Sequence, residues 1–232
     1  MSSYLVLALV AGLAGLERKG VLQAMLSRPI ALGPIVGLAL GDVSGGLVVA
    51  VPLELLWLGS VNLGAALPVH EALGAAAVAG GAVLTGQAMG TGVTLPIAAL
   101  SVALCVPLAV LGRNAERSIE RANERLVARA ETLVLTDPAA AARANLRGLA
   151  LPFFLPALLA PVGAAAAVAV IPAILRAAPS LGTPLAIAWV AFGLIAATAA
   201  AISLRAERAR AVFLAAATAA AAGAAVVVGV IR

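Results

Sequence analysis

A few polar side chains stand alone in long apolar stretches of the first half of the chain. Six of them could hold a sugar and are our candidate substrate-binding residues: Asp42, Glu54, Trp57, Asn62, Glu71 and Gln87. A charge at the centre of a membrane helix costs about 2.5–3.5 kcal/mol on insertion scales, so isolated carboxylates in apolar sequence need a reason. Carboxylates and amides can bind hydroxyl groups, and an indole can cover the apolar face of a sugar ring.

A structural interpretation competes with this one. Asp42 and Glu54 could instead cap a broken helix or pair with Arg18, Lys19 or Arg28. His70 is interpreted as a loop histidine, because a single histidine without cysteine partners does not make a metal site. The sequence contains no Walker loop, dinucleotide fingerprint or Ser-His-Asp arrangement that can be placed. We therefore expect no catalytic residues, no metal and no cofactor.

The composition determines the class of fold that must position these residues. The chain is 63% hydrophobic and 11% charged, against roughly 45–50% and 25% in soluble domains. Long apolar runs such as 186–203 and 211–231 lack the alternation of membrane barrel strands. The sequence therefore predicts an all-α, polytopic helical membrane protein. The net charge of +5 is typical of arginine-rich cytoplasmic loops, and no nucleic-acid partner is predicted.

Three parts follow from the distribution of charge and glycine: an N-terminal membrane part (1–112), a cytoplasmic amphipathic connection (113–147) and C-terminal membrane helices (148–232). In the first part, Gly33, Gly37, Gly41 and Gly45 recur every fourth residue and predict a bare helix face for close packing. The apolar segments near 30–46 and 47–61 are too short for a full span of about 20 residues. This half is therefore predicted to contain re-entrant or broken helices, with packing alone as the alternative for the glycines.

The connection has a regular charge pattern. Arginines recur every fourth residue, and glutamates follow three residues after several of them: Arg113, Arg117, Arg121, Arg125, Arg129, Glu116, Glu120 and Glu124. This spacing predicts ion pairs within one helix, on its solvated face. The segment is interpreted as a solvated connection or, alternatively, as a docking surface for a soluble partner. The arginines place it in the cytoplasm, together with the end of the first helix.

The stretch from Leu22 to Gly86 resembles the IIC component of phosphotransferase permeases of the mannose/fructose/sorbose family. The pieces that carry the resemblance are Ser27-Arg28-Pro29, Gly33-Pro34-Ile35-Val36-Gly37, Gly41-Asp42, Leu53-Glu54-Leu55, Trp57-Leu58-Gly59 and Asn62-Leu63-Gly64-Ala65-Ala66. They occur in order, at spacing similar to that of the family. By this resemblance, Asp42, Glu54 and Asn62 correspond to polar positions within the membrane, with a role in the sugar site or its gating.

The resemblance implies a permease subunit of the bacterial cytoplasmic membrane, working with a IID membrane subunit in an oligomeric complex. Soluble IIA and IIB components would relay phosphate from phosphoenolpyruvate. IIB would then phosphorylate a hexose of the mannose, sorbose or fructose type as it enters. Two alternatives stay open: a non-transporting scaffold or sensor of phosphotransferase regulation, and an unrelated small-solute carrier.

Overall fold

The computed structural model describes residues 2–59 and 68–203, together with Ala211 and Ala215. Its helices are α1 (Ser3–Lys19), α2 (Pro29–Leu40), α3 (Val43–Trp57), α4 (Glu71–Met89), α5 (Leu95–Leu133), α6 (Pro138–Arg147), α7 (Ala150–Ala177) and α8 (Gly182–Ser203), with a 3-10 turn at Pro179–Leu181. These ranges contain no strand, so the predicted all-α class is confirmed. Asn62 lies outside the described residues. The apolar run 211–231 also lies outside them, except for Ala211 and Ala215.

Four helical stretches within the described ranges are long and apolar enough to cross a membrane: Glu71–Met89, Leu95–Leu133, Pro138–Ala177 and Pro179–Ser203. A membrane span needs about 20 apolar residues because each residue rises by about 1.5 Å. The chain is therefore a helical membrane protein, as its composition predicts.

Helix α4 is the centre of the bundle. Every residue from Ala72 to Gly86 is buried, and α4 packs against α1, α2, α3, α5 and α7. Its small side chains allow this crowding, since they let neighbouring backbones approach closely. A Cβ atom on Gly74 would lie 2.7 Å from the Trp57 ring, and one on Gly81 would lie 3.0 Å from the Ala167 methyl group.

The glycine-rich segment forms a hairpin of two short helices, not one continuous face. Helix α2 ends at Leu40, Gly41 adopts φ +93° and α3 begins after Asp42. Gly33 and Gly46 then face each other across the hairpin, where a Cβ on Gly33 would lie 2.7 Å from the Gly46 carbonyl oxygen. With 12 and 15 residues, both helices are shorter than a full span. The prediction of broken helices agrees with this geometry, and re-entry into the membrane stays a prediction.

Helix α5 joins the membrane part to the charged connection without a break over its 39 residues. The sequence predicted ion pairs between arginines and glutamates within this helix, and for the described residues that prediction is wrong. Glu116 instead lies 2.5 Å from both Arg18 and Lys19 at the end of α1, and Glu120 lies 3.0 Å from Lys19. Glu116 is 1% exposed, so its charge needs close cationic partners inside the bundle, and α1 supplies two of them.

Candidate functional site

The structure separates the candidate substrate residues into two groups at opposite ends of the α2–α3 hairpin. Asp42 and Gln87 lie at its tip, and Glu54 and Glu71 lie at its base. Asp42 and Glu54 are twelve positions apart in the sequence, which corresponds to about 18 Å along α3. One small sugar therefore cannot contact both groups at once.

At the tip, both polar side chains satisfy helix ends. The Asp42 Oδ1 atom accepts hydrogen bonds from the Gly45 N–H and the Ser44 hydroxyl, each at 2.8 Å. This is an N-cap of α3. The Gln87 amide donates to the Leu40 carbonyl oxygen at 2.6 Å, which serves one of the carbonyl groups left unpaired at the end of α2. For Asp42, these contacts are the helix cap of the structural interpretation.

At the base, Arg28 connects three helices. Its Nε and Nη2 atoms lie 3.0 and 2.5 Å from Glu54 Oε1, and its Nη1 lies 3.4 Å from Glu71 Oε2. The other Glu54 oxygen accepts the Ile30 N–H at 3.2 Å. Arg28 precedes α2, Glu54 is on α3 and Glu71 begins α4, so this Arg28 cluster (Arg28, Glu54 and Glu71) fixes the base of the hairpin. The three side chains are only 12–20% exposed, which limits screening by water.

A polar cavity of about 300 Å³ lies beside the Arg28 cluster. It is lined by Glu17, Arg18, Gln23, Met25, Ser27, Arg28, Pro68 and Glu71. The volume lies at the lower end of the range for small-molecule pockets. Its carboxylates can accept and its guanidinium groups can donate hydrogen bonds, which is the chemistry that sugar hydroxyls require.

A strained loop forms one wall of this cavity. Leu22, Gln23 and Met25 adopt φ values of 69°, 50° and 60°, a region that costs residues other than glycine about 1–3 kcal/mol each. The buried Glu17 carboxylate holds the loop by accepting the N–H groups of Leu26 at 3.3 Å and Ser27 at 2.9 Å. Sequence reasoning missed both Glu17 and this loop. The available signals were the Ser-Arg-Pro motif that follows the loop and the position of Glu17 at the end of an apolar run.

Trp57 and His70 are core residues near the cavity. Trp57 is 6% exposed and packs against α4, so its ring does not line the cavity. His70 is a buried N-cap of α4, and its Nδ1 accepts the Leu73 N–H at 3.2 Å. Burial and the nearby charge of Arg18 lower the pKa of His70 to about 4, so the ring is neutral near pH 7. His70 thus lies in the non-helical segment before α4, as the sequence suggested, and its side chain caps that helix.

No group of three or more potential metal ligands occurs among the described residues. The arrangement is that of a bundle of membrane helices with a polar cavity at the base of a helical hairpin, which defines a membrane protein with a candidate solute site. Residues 1–188 match the family model described as the sorbose-specific IIC component of the phosphotransferase system. The chain belongs to this family of phosphotransferase sugar permeases.

One relative agrees with this assignment, and two solved structures share the fold. Over 94 residues the chain is 37% identical to a protein of Escherichia coli (strain K12) that is provisionally named N-acetylgalactosamine permease IIC component 2, covering 40% of this chain and 70% of that protein. A solved structure titled as a membrane protein superposes with a TM-score of 0.68 at 20% identity. The mannose transporter ManYZ in complex with microcin E492 superposes at 0.51 and 22%. Each comparison covers 99% of this chain and 92% of the other, and at these identities the structures establish the fold alone.

Proposed function

We propose that this chain is the sugar-translocating membrane subunit of a phosphoenolpyruvate-dependent phosphotransferase system in the bacterial cytoplasmic membrane. It moves a hexose inward together with a IID subunit, and a soluble IIB component, itself supplied by IIA, phosphorylates the sugar. The observation that carries the proposal is the family match over residues 1–188. The polar cavity beside the Arg28 cluster supports it by offering a site of suitable size and chemistry.

In this proposal the sugar binds in the cavity, between Arg28 and Glu71. The contact between these two side chains, at 3.4 Å, is the longest in the Arg28 cluster, so a hydroxyl can replace it at the lowest cost. Hydrogen bonds to charged groups are roughly twice as strong as neutral ones, which offsets the loss of the ion pair. Glu54 keeps its two contacts with Arg28 and acts as a positioning residue.

The other candidate residues have different places in the proposal. Asp42 and Gln87 hold the tip of the hairpin, and Trp57 packs the base of α3 against α4. Asn62 follows Trp57 by five residues in the sequence and keeps its proposed role in the sugar site. Broken helices commonly build solute sites in transporters because their ends offer backbone donors and acceptors. We accordingly propose that the α2–α3 hairpin is re-entrant.

Reconstituted transport tests the function. Vesicles containing this chain and its IID subunit would be given radiolabelled hexoses with and without phosphorylated IIB. We expect phosphorylated sugar to accumulate only when all components are present. No uptake or phosphorylation of any hexose by a correctly assembled complex would contradict the permease proposal and favour the scaffold or sensor alternative. Uptake that needs no phosphorylated IIB would favour a carrier without phosphorylation.

Sugar affinity tests the site. Glu71→Gln removes the charge and keeps the shape, so we expect the Kd for the transported hexose to rise about tenfold, or about 1.4 kcal/mol. The measurement is equilibrium binding to the complex in lipid nanodiscs. Glu124→Gln is the matched control because Glu124 is exposed on the connection, and its Kd should equal that of the wild type. An unchanged Kd for Glu71→Gln would remove Glu71 from the site.

A further inference from the structure

One buried carboxylate is committed to the backbone of the loop that walls the polar cavity. Glu17 is 6% exposed, and no cationic side chain of the described residues lies within 4.0 Å of it. Its two oxygens instead accept the N–H groups of Leu26 and Ser27, one each. Because a buried charge is costly unless hydrogen bonds compensate it, Glu17 and the loop backbone stabilise each other.

The same loop carries all the strained backbone of non-glycine residues in the described ranges. Only Leu22, Gln23 and Met25 combine a side chain with a positive φ there, at 69°, 50° and 60°. Such strain persists only where the surrounding structure imposes it, and it clusters at binding sites. The Glu17 contacts come directly after the strained residues, so this carboxylate is the group placed to impose their conformation.

Half of the cavity lining comes from this loop and the residue that follows it. Four of the eight lining residues belong to this segment: Gln23, Met25, Ser27 and Arg28. Ser27, which Glu17 holds, directly precedes Arg28. The Glu17 contact therefore fixes the backbone from which the Arg28 side chain reaches the carboxylates of α3 and α4.

We propose that Glu17 is a positioning residue for the sugar: it holds the loop in its strained form, and the held loop is the form that binds a hexose. The proposal rests on the proposed function, which places the sugar in this cavity. The apparent Kd of a protein rises as the fraction of molecules in the binding-competent form falls. Each Glu17 oxygen already accepts a loop N–H, so Glu17 sets the affinity through the loop and not by touching the sugar.

Sugar binding to a charge-neutral variant tests this role. The probe is radiolabelled mannose, fructose or sorbose, whichever binds most tightly to this chain with IID in lipid nanodiscs. Glu17→Gln keeps the shape of the side chain, but its amide nitrogen is a donor and meets one of the two loop N–H groups. We expect the hexose Kd to rise about tenfold through the loss of one charge-assisted hydrogen bond. Amide exchange at Leu26 and Ser27 should become faster in this variant, and by linkage it should become slower when the wild type is saturated with hexose.

Glycine substitutions in the loop separate positioning from direct contact. Glycine adopts a positive φ without steric cost, so Leu22→Gly removes strain that Glu17 otherwise opposes, and Leu22 does not line the polar cavity. In the Leu22→Gly background, Glu17→Gln should raise the Kd only about threefold or less, because the two changes act on one equilibrium. Ala24→Gly is the matched control, since Ala24 lies in the same exposed loop without a positive φ. There the full rise should remain, and Ala24→Gly alone should bind more weakly than Leu22→Gly alone, because it only adds freedom to the loop.

Four outcomes overturn the proposal. An unchanged hexose Kd for Glu17→Gln, with faster exchange at Leu26 and Ser27, would show that the loop is held for stability alone, and the permease function would stand. An equal rise in Kd in the Leu22→Gly and Ala24→Gly backgrounds would show that Glu17 acts by direct contact with the sugar. If Glu17→Gln does not fold, tighter binding by Ala24→Gly than by Leu22→Gly is the result that contradicts the proposal. A wild-type complex that binds none of the hexoses would refute the proposed function itself, and the positioning role with it.

Discussion

Adding one methyl group at Gly33 tests the close packing of the α2–α3 hairpin. The new Cβ would lie 2.5 Å from the Ala50 Cβ and 2.7 Å from the Gly46 carbonyl oxygen, whereas ordinary contact begins near 3.4 Å. The helices must therefore separate by about 0.9 Å (3.4 − 2.5), because neither neighbour can rotate away. Overpacking of this kind costs about 3 kcal/mol at the upper end of its usual range.

Alanine also improves the helix itself by about 1 kcal/mol over glycine. The net expectation for Gly33→Ala is a loss of about 2 kcal/mol, which corresponds to a factor of about 30 in the folding equilibrium. The assay is equilibrium unfolding of the purified protein in mild detergent, followed by tryptophan fluorescence. Gly193→Ala is the matched control, since nothing lies within 4 Å of a Cβ added there on α8, and it should gain about 1 kcal/mol.

A second variant tests the pairwise nature of the contact. Gly46→Ala directs its methyl group at the Gly33 backbone, so it should destabilise the hairpin to a similar extent. Once the helices have separated, the second methyl group finds room, and the double variant should lose less than the sum of the two. Wild-type stability for Gly33→Ala, or a gain equal to that of Gly193→Ala, would refute the close approach of α2 and α3.

Three further changes test the ends of the hairpin and the α1–α5 contact. Glu116→Gln leaves Arg18 inside the bundle without a charged partner, so the free energy of unfolding should fall by about 3–5 kcal/mol. A fall no larger than that caused by the exposed Glu124→Gln would contradict this. His70 should account for a fall of about 3 kcal/mol in stability as the pH drops from 6.5 to 4, because its folded-state pKa is lowered to about 4 and the unfolded state binds the proton first. His70→Asn, which retains a capping acceptor, should reduce the acid sensitivity of unfolding by this amount, and acid sensitivity equal to that of the wild type would argue against it. Asp42→Ala should destabilise by about 1 kcal/mol in the same unfolding assay, with Asp42→Ser near the wild type, and equal losses would exclude the cap.

The membrane helices could be predicted because a helix that crosses lipid must be a long run of mostly apolar residues. The short apolar segments predicted near 30–46 and 47–61 correspond to α2, Pro29–Leu40, and α3, Val43–Trp57, and the apolar run 186–203 lies within α8, Gly182–Ser203. The break at Gly41 was missed because glycines at four-residue spacing also fit one continuous helix. The distinguishing signal was local: Gly41 can adopt φ +93°, and the Asp42 that follows is a favoured N-cap.

The candidate site was less predictable because its contacts join distant parts of the chain. Arg28 and Glu54 are 26 residues apart, so their pairing stayed one of several alternatives at the sequence level. Glu116 shows the limit of local rules more clearly. The pairing of residues three apart is worth only about 0.2–0.5 kcal/mol, and the tertiary contact with Arg18 and Lys19 prevails over it once Glu116 is buried.

The contact between α1 and Glu116 has a consequence for how the protein is made. Arg18 and Glu116 are separated by 98 residues, so both cations of α1 emerge from the ribosome long before the carboxylate that neutralises them. During that interval they carry the excess of basic charge by which newly inserted helices are oriented. Once α5 has been made, Glu116 pairs with Arg18 and Lys19. The residues that orient α1 then also hold it in the bundle. A nascent chain that ends before residue 116 would orient its first helix without yet fastening it to the bundle.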